Sequence, residues 1–136
     1  MSDSIEITFS STLEDMGDTA RELELFLEQR GLAADKAYAV SLAFEEFATN
    51  TIKYGYKGKS GKSIRVRAEA GADFATLIIE DNGLRFDPLL DAPEPDVELS
   101  AEERDIGGLG IHLIKKLSKA LSYEYVDGKN VITVEF

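Results

Sequence analysis

Two polar residues in the first half of the chain, Glu46 and Asn50, have types and a spacing that suit chemistry on one ligand. Residues four apart in a helix project from the same side, so both side chains can reach a common ligand. The carboxylate can act as a general base, and the amide oxygen is a hard neutral ligand that suits Mg²⁺. Such pairs are also common on solvated helix faces, so the spacing alone leaves both interpretations open.

A second candidate, Asp81-Asn82-Gly83, directly follows the apolar run FATLIIE. Asp and Gly at this place are typical of a turn that ends a strand, which is the purely structural interpretation. In the functional interpretation, a carboxylate at a strand end accepts a charge-assisted hydrogen bond from an exocyclic amino group such as that of adenine. Gly83 would then let a flat ring approach the backbone closely.

The third candidate is a glycine cluster made of Gly107, Gly108, Leu109 and Gly110. We expect it to precede a helix, whose N-terminal N–H groups and dipole would form a site for phosphate oxygens. A hinge for a mobile loop is the alternative explanation of three glycines in four positions. The spacing fits neither a P-loop nor a Rossmann fingerprint, which excludes those two nucleotide-binding folds.

Hydrophobic periodicity predicts the elements that position these residues. A first strand carries Ile5, Ile7 and Phe9, a helix capped by Thr12 ends at Gly31, and a second helix runs from about Ala34 to Tyr54. Two strands follow, at about 64–69 and 74–80, and then a lid at about 84–106 that holds all three prolines. The last elements are a helix with Leu113, Ile114 and Leu117 on its buried face and a hairpin that turns at Asp127-Gly128.

This order predicts an α+β fold, a two-layer α/β sandwich with helices on one face of a mixed, mostly antiparallel sheet. The length of 136 residues predicts one domain over 1–136.

Composition limits the classes of partner. The net charge of −11 opposes non-specific binding to nucleic acid or to an anionic membrane, and it favours protein or small-molecule partners. The chain has no cysteine, which excludes disulfides and thiolate chemistry. No apolar run is long enough to cross a membrane and the first ten residues do not form a signal peptide, so we expect a cytoplasmic location.

In order along the chain, Glu46-x-x-x-Asn50, Asp81-x-Gly83 and the glycine cluster resemble the N, G1 and G2 boxes of the GHKL ATPase superfamily. Within it, the segments EEFATNTIKYGY and DNGLRFDP and the last thirty residues, GGLGIHLIKKLSKALSYEYVDGKNVITVEF, look most like the anti-sigma-factor serine/threonine kinases. The resemblance covers nearly the whole chain and implies a GHKL-type fold that binds ATP and Mg²⁺.

The resemblance also implies roles for individual residues. Glu46 would be the base that activates a serine or threonine hydroxyl, Asn50 would hold Mg²⁺, and Asp81 would receive the adenine amino group with Gly83 beneath the ring. Thr133 would belong to a water-linked network behind Asp81. The phosphates would be contacted by the glycine cluster, Gly107, Gly108, Leu109 and Gly110, and by Arg104 at the end of the lid.

Two positions depart from the family pattern: Arg85 stands where a second glycine is common, and Tyr54 where many relatives have histidine. The partners that the resemblance implies are a sigma factor and a STAS-type antagonist, with no direct nucleic acid and no membrane, and with a homodimer left open. The second hypothesis is a nucleotide-gated binding module that transfers no phosphate. The third is an α/β interaction domain whose motifs are coincidental.

Overall fold

The computed structural model describes residues 3–90 and 106–136, and it describes residues 106–109 by their backbone alone. Its elements follow the predicted order of strands and helices. They are β1 (Ser4–Ser10), α1 (Leu13–Gln29), α2 (Ala34–Asn50), a π-helical turn (Thr51–Gly55), β2 (Ser63–Ala70), β3 (Ala75–Asp81), α3 (Ile106–Leu117), β4 (Ala120–Val126) and β5 (Lys129–Glu135). The predicted lid lies mostly outside the described residues, and so does Arg104.

The five strands form one sheet in the order β1-β2-β3-β5-β4. Each of the four pairings between these described strands is antiparallel, where we had expected a mixed sheet. Alternation decides which face is buried: in β2, Ile64, Val66 and Ala68 are buried, while Arg65 and Arg67 are exposed. The helices pack on the apolar face, so the predicted α+β sandwich is confirmed.

The core lies between this face and the first two helices. Its largest fully buried side chains include Leu23 and Leu27 of α1 and Phe44 and Phe47 of α2. The start of α1 is fixed as predicted, because Thr12 Oγ1 accepts a hydrogen bond of 3.1 Å from the Asp15 N–H. None of the helices in the described part of the chain has the length and apolar character needed to cross a membrane.

Two predicted helix boundaries were wrong. The α-helical part of α2 ends at Asn50, and the chain continues through the π-helical turn instead of regular helix. Helix α3 begins at Ile106 and so contains the glycine cluster, which we had placed before it. Its buried face also differs, because Ile111 and Ile114 are buried while Leu113 and Leu117 are exposed.

Candidate functional site

Asp81 ends the central strand β3, and its carboxylate is buried and held by three hydrogen bonds. Oδ1 accepts from the Gly83 N–H at 2.8 Å and from Asn130 Nδ2 at 3.0 Å, and Oδ2 accepts from Thr51 Oγ1 at 3.1 Å. A carboxylate offers about four acceptor positions, so Oδ2 keeps one for a further donor. The side chain is therefore fixed in direction and still able to receive an amino group.

Asn130 on β5 is the main support of Asp81, and sequence reasoning missed it. Besides Asp81, its Nδ2 group contacts the carbonyls of Leu84 at 2.9 Å and Gly83 at 3.4 Å. Its Oδ1 accepts from the Phe86 N–H at 3.1 Å and from the Tyr123 hydroxyl. One buried amide thus joins β3, β4, β5 and the segment that follows β3. The signal was present in the alternation of β5, where Asn130 shares the buried phase with Ile132 and Val134.

The structure does not bring Thr133 to Asp81. Thr133 pairs with Ile78 and lies in the opposite phase of β5 from Asn130, so its side chain is on the outer face of the sheet. The expected place of Thr133 behind Asp81 is wrong, because side chains of neighbouring strand residues point to opposite faces. Asn130 and Thr51 occupy that place instead.

The π-helical turn supplies both Thr51 and a close backbone contact for Gly83. A Cβ built on Gly83 would lie 2.7 Å from the Gly55 carbonyl oxygen, well inside van der Waals contact. The Leu84 N–H donates to the same carbonyl at 2.9 Å. Gly83 is therefore required by the packing of the chain against Gly55, whereas we had expected its role to be room for a flat ring.

Tyr56 lies behind this turn and ties it to β2. Its hydroxyl donates to the Ser63 carbonyl at 2.6 Å and accepts from the Asn82 N–H at 2.9 Å. Burial raises the pKa of the Tyr56 phenol above its ordinary value, and the negative charge of Asp81 raises it further, against the lowering effect of the Asn82 hydrogen bond. The phenol therefore stays protonated, and able to donate, across neutral pH.

Asn50, at the end of α2, is buried beside Asp81, and its Nδ2 has no hydrogen-bond partner among the described residues. Such an orphaned amide is costly in a protein interior, which suggests that this side chain serves a ligand. Asn50 and Asp81 line one small cavity of about 20 Å³. Phe86, which stacks on Tyr54 with ring centroids 4.9 Å apart, lines it as well.

This cavity is much smaller than the roughly 300–1,000 Å³ of ordinary ligand pockets. The polar groups fit a nucleotide, since an acceptor position on Asp81 can receive an amino group and the unpartnered Nδ2 of Asn50 can donate to an oxygen atom. A purine needs more space than this cavity offers. Among the lining residues, Phe86 is the first one after the end of β3 along the chain. Entry of a purine therefore requires Phe86 to move.

Glu46 is half-buried one turn before Asn50, and it lies directly against α3. A Cβ built on Gly110 would lie 2.6 Å from Glu46 Cγ and would overlap the carboxyl group. Gly110 is therefore needed for the close approach of the two helices at the carboxylate. The structure thus brings Glu46 to the glycine cluster, as the resemblance implies.

The remaining glycine positions, Gly107 and Gly108, lie with Leu109 in the first turn of α3. The first N–H groups of a helix have no partner within the helix, and together with the dipole they favour anions. The structure describes only the backbone of these residues. Their contacts with phosphate therefore stay a prediction, which is based on their place in the first turn of the helix. Arg104 lies outside the described residues.

The chain is similar in sequence to a known family and to several known proteins. The family model of the histidine kinase-like ATPase domain matches residues 9–136. Anti-sigma F factor of Clostridium beijerinckii is 27% identical over 135 residues, which cover 98% of this chain and 94% of that protein. Serine/threonine-protein kinase BtrW of Bordetella bronchiseptica is 26% identical over 97% of this chain and 91% of its own. Serine-protein kinase RsbW of Listeria monocytogenes is 29% identical over 78% of this chain and 69% of its own.

A solved structure shows the same fold. The crystal structure of the RsbU and RsbW domains of a Mycobacterium tuberculosis protein superposes with a TM-score of 0.67 at 18% sequence identity. The match covers 97% of this chain and 31% of that longer chain. With its family model, its fold and the arrangement of its three motifs in agreement, the chain belongs to the histidine kinase-like ATPase family, within the GHKL superfamily.

Proposed function

We propose that the chain is an ATP-dependent serine/threonine protein kinase that acts as an anti-sigma regulatory factor. It would phosphorylate a STAS-type antagonist and sequester a sigma factor. The observation that carries this proposal is that Asp81 and Asn50 line one cavity, while Glu46, one turn before Asn50 on α2, lies against Gly110 of the glycine cluster. The printed names of the relatives, which include both anti-sigma factors and serine-protein kinases, support it.

Each residue has a defined task in this proposal. Asp81 would accept the adenine amino group on its remaining acceptor position, and it is preorganised because three donors already fix its carboxylate. Asn50 would turn its amide oxygen to Mg²⁺, and its Nδ2 group, which lacks a partner among the described residues, would donate to a phosphate oxygen. Glu46 would accept the proton of the serine or threonine hydroxyl.

Bound Mg·ATP would supply the phosphoryl group, and the first-turn N–H groups of α3 would orient its phosphates. Glu46 lies on α2 one turn from Asn50, so the base and the metal ligand are held by the same rigid helix. Positioning of this kind is the main contribution of the protein in phosphoryl transfer.

The first test is calorimetric titration of the purified protein with Mg·ATP, beside the isosteric variant Asp81→Asn. Loss of a charge-assisted hydrogen bond should weaken binding by about 10- to 100-fold, because such a bond contributes roughly 1.5–3 kcal/mol. Wild-type protein that gives neither heat nor thermal stabilisation with millimolar Mg·ATP would contradict the proposal and favour the interaction domain.

The second test is transfer of labelled phosphate to purified STAS-domain proteins of the source organism. Glu46→Gln should reduce the rate by about 100-fold or more, in the range of a lost general base. Glu45→Gln is the matched control, because it makes the same change at the exposed neighbouring position. Equal rates for wild type and Glu46→Gln would remove the proposed role of this residue.

One observation favours the alternative of a nucleotide-gated binding module without kinase activity. The Glu46 side chain is half-buried and its carboxyl group lies against Gly110, so a substrate hydroxyl has restricted access to it. In this alternative the protein binds Mg·ATP and its partner but transfers no phosphate. The Glu46→Gln comparison separates the two, since only the kinase loses an activity.

A further inference from the structure

A wide cleft lies beside the cavity that Asp81 and Asn50 line. It has a volume of about 640 Å³ and runs between the loop that follows the π-helical turn and the turn that follows β3. Four cationic side chains line it: Lys57, Lys59, Lys62 and Arg85. We call it the basic cleft. None of the roles assigned above uses these four residues.

The basic cleft contrasts with the chain as a whole, whose net charge is −11. All four cations are exposed. The ion pairs found among the described residues use other cations, namely Arg21, Arg65, Arg67 and Lys129. The basic cleft thus gathers four cations that none of these ion pairs uses.

The lysine-bearing loop is held in place by its backbone. The buried Ser11 donates from Oγ to the Lys59 carbonyl at 2.7 Å and accepts from the Lys62 N–H at 3.1 Å. Lys57 has a left-handed φ of 53°, a conformation that non-glycine residues adopt rarely and at a cost. A loop fixed in this way presents its three lysines from a defined backbone and not from a free tail.

The wall of the basic cleft is partly apolar. Leu84 is 56% exposed and Tyr125 is 43% exposed, and both line the cleft beside Arg85. Cations around an exposed aliphatic and an aromatic side chain suit a ligand that carries both carboxylates and an apolar group. The volume is also much larger than a single small anion requires.

We propose that the basic cleft is a docking site for an acidic, partly apolar segment of a partner protein. Its carboxylates pair with the four cations, while a large apolar side chain packs between Leu84 and Tyr125. A protein segment fits better than nucleic acid, because it can place a large apolar side chain against Leu84 and Tyr125 as well as carboxylates against the cations.

The test is fluorescence anisotropy of the full chain with a labelled eight-residue peptide, six acidic residues around a central Leu-Phe pair, without nucleotide. The variant Lys57→Gln/Lys59→Gln/Lys62→Gln should weaken binding by about tenfold, since three exposed ion pairs are lost. Lys115→Gln/Lys116→Gln/Lys119→Gln, the same change on the exposed side of α3 and just beyond it, is the matched control and should bind like wild type. A peptide with Gln in place of its acidic residues should not bind.

A second measurement keeps the proposal falsifiable if the loop variant misfolds. In ¹⁵N spectra of the wild-type protein, the acidic peptide should shift the amide signals of Gly58, Gly61 and Leu84. Shifts confined to other elements, or equal affinity of wild type and a folded loop variant, would overturn the proposal.

Two further arms test the class of ligand. A labelled single-stranded oligonucleotide that binds more tightly than the peptide, and loses binding in the loop variant, would assign the basic cleft to nucleic acid and overturn a protein partner. Displacement of the peptide by millimolar inorganic phosphate at constant ionic strength would reduce the site to one for small anions. Because the titrations contain no nucleotide, their outcome is independent of the kinase proposal.

Discussion

Two buried asparagines stand on either side of Asp81, and their surroundings differ sharply. Asn130 is 5% exposed, and its amide joins five hydrogen bonds to strands and turns around it. Asn50 is 6% exposed, and its Nδ2 has no partner among the described residues. The hydrogen bonds of Asn130 are completed within the chain, whereas Nδ2 of Asn50 remains available to a ligand.

Truncation of Asn130 should have the largest effect on stability. Asn130→Ala would remove one of the three donors to Asp81 and leave the Tyr123 hydroxyl and the carbonyl of Leu84 without this partner, and we expect a loss of about 3 kcal/mol in the free energy of unfolding. Urea denaturation measures it. Asn82→Ala, at an exposed position of the same turn, is the control and should change stability by less than about 0.5 kcal/mol. Equal effects would show that the Asn130 network adds nothing.

A methyl group at Gly110 should have the next largest effect and should act on the other region. Gly110→Ala overlaps the Glu46 carboxyl group, so we expect a loss of about 2 kcal/mol together with displacement of Glu46. Gly17→Ala in α1 meets nothing within 4 Å, so this control should gain about 0.5–1 kcal/mol. Thermal unfolding of both variants, followed by a phosphate-transfer assay, checks the prediction. A stable and fully active Gly110→Ala protein would refute the close contact.

Asn50→Ala should change stability little and ligand binding strongly. The variant creates a small void but removes a buried amide that lacks a partner, so the net change should stay within about 1 kcal/mol. Binding of Mg·ATP should fall by at least about tenfold. Parallel urea denaturation and calorimetry measure both quantities. A stability loss as large as that of Asn130→Ala would end the distinction between the two asparagines.

The smallest expected effect appears at alkaline pH. Burial raises the pKa of Tyr56 above 10.0 in the folded chain, so the folded protein keeps a proton that the unfolded chain loses. By linkage, this contribution to stability is fully present below pH 10 and is lost as pH rises above it. Urea denaturation at about pH 8 and about pH 10.5 measures the slope.

Tyr56→Phe should make the loss of stability between these two pH values smaller than in wild type, because the variant has no phenol at this position. Tyr38→Phe, at a side chain that is 64% exposed, is the matched control. An identical slope for wild type and Tyr56→Phe would show that the raised pKa of Tyr56 has no consequence for folding.

The sequence was most informative where periodicity and position coincide. Asp81 follows an apolar strand, so its place at the strand end was predictable, and the same holds for the paired projection of Glu46 and Asn50 from a helix. The expected place of Thr133 was wrong because it was inferred from the order of the motifs along the chain. The alternation of buried and outward-facing side chains in β5 was not used. Counting the alternation of β5 from Ile132 would have assigned the inward position to Asn130.

Other features depend on tertiary contacts that no local pattern contains. Glycine is unfavourable in the interior of a helix. We therefore expected the glycine cluster to lie before α3 and not within it. Close approach to Glu46 outweighs this preference at Gly110. The role of Gly83 was mistaken for a similar reason, since the Gly55 carbonyl that excludes a side chain there is 28 positions away in sequence (83 − 55).

The π-helical turn has a consequence for inherited variation. It holds more residues per turn than an α-helix, so deletion of one codon here would shorten and rewind the segment that joins Thr51 to Gly55. The contacts of Thr51 with Asp81 and of Gly55 with Gly83 could then not both be kept. Alleles that shorten this stretch should therefore be lost far more readily than alleles that substitute its exposed residue Lys53.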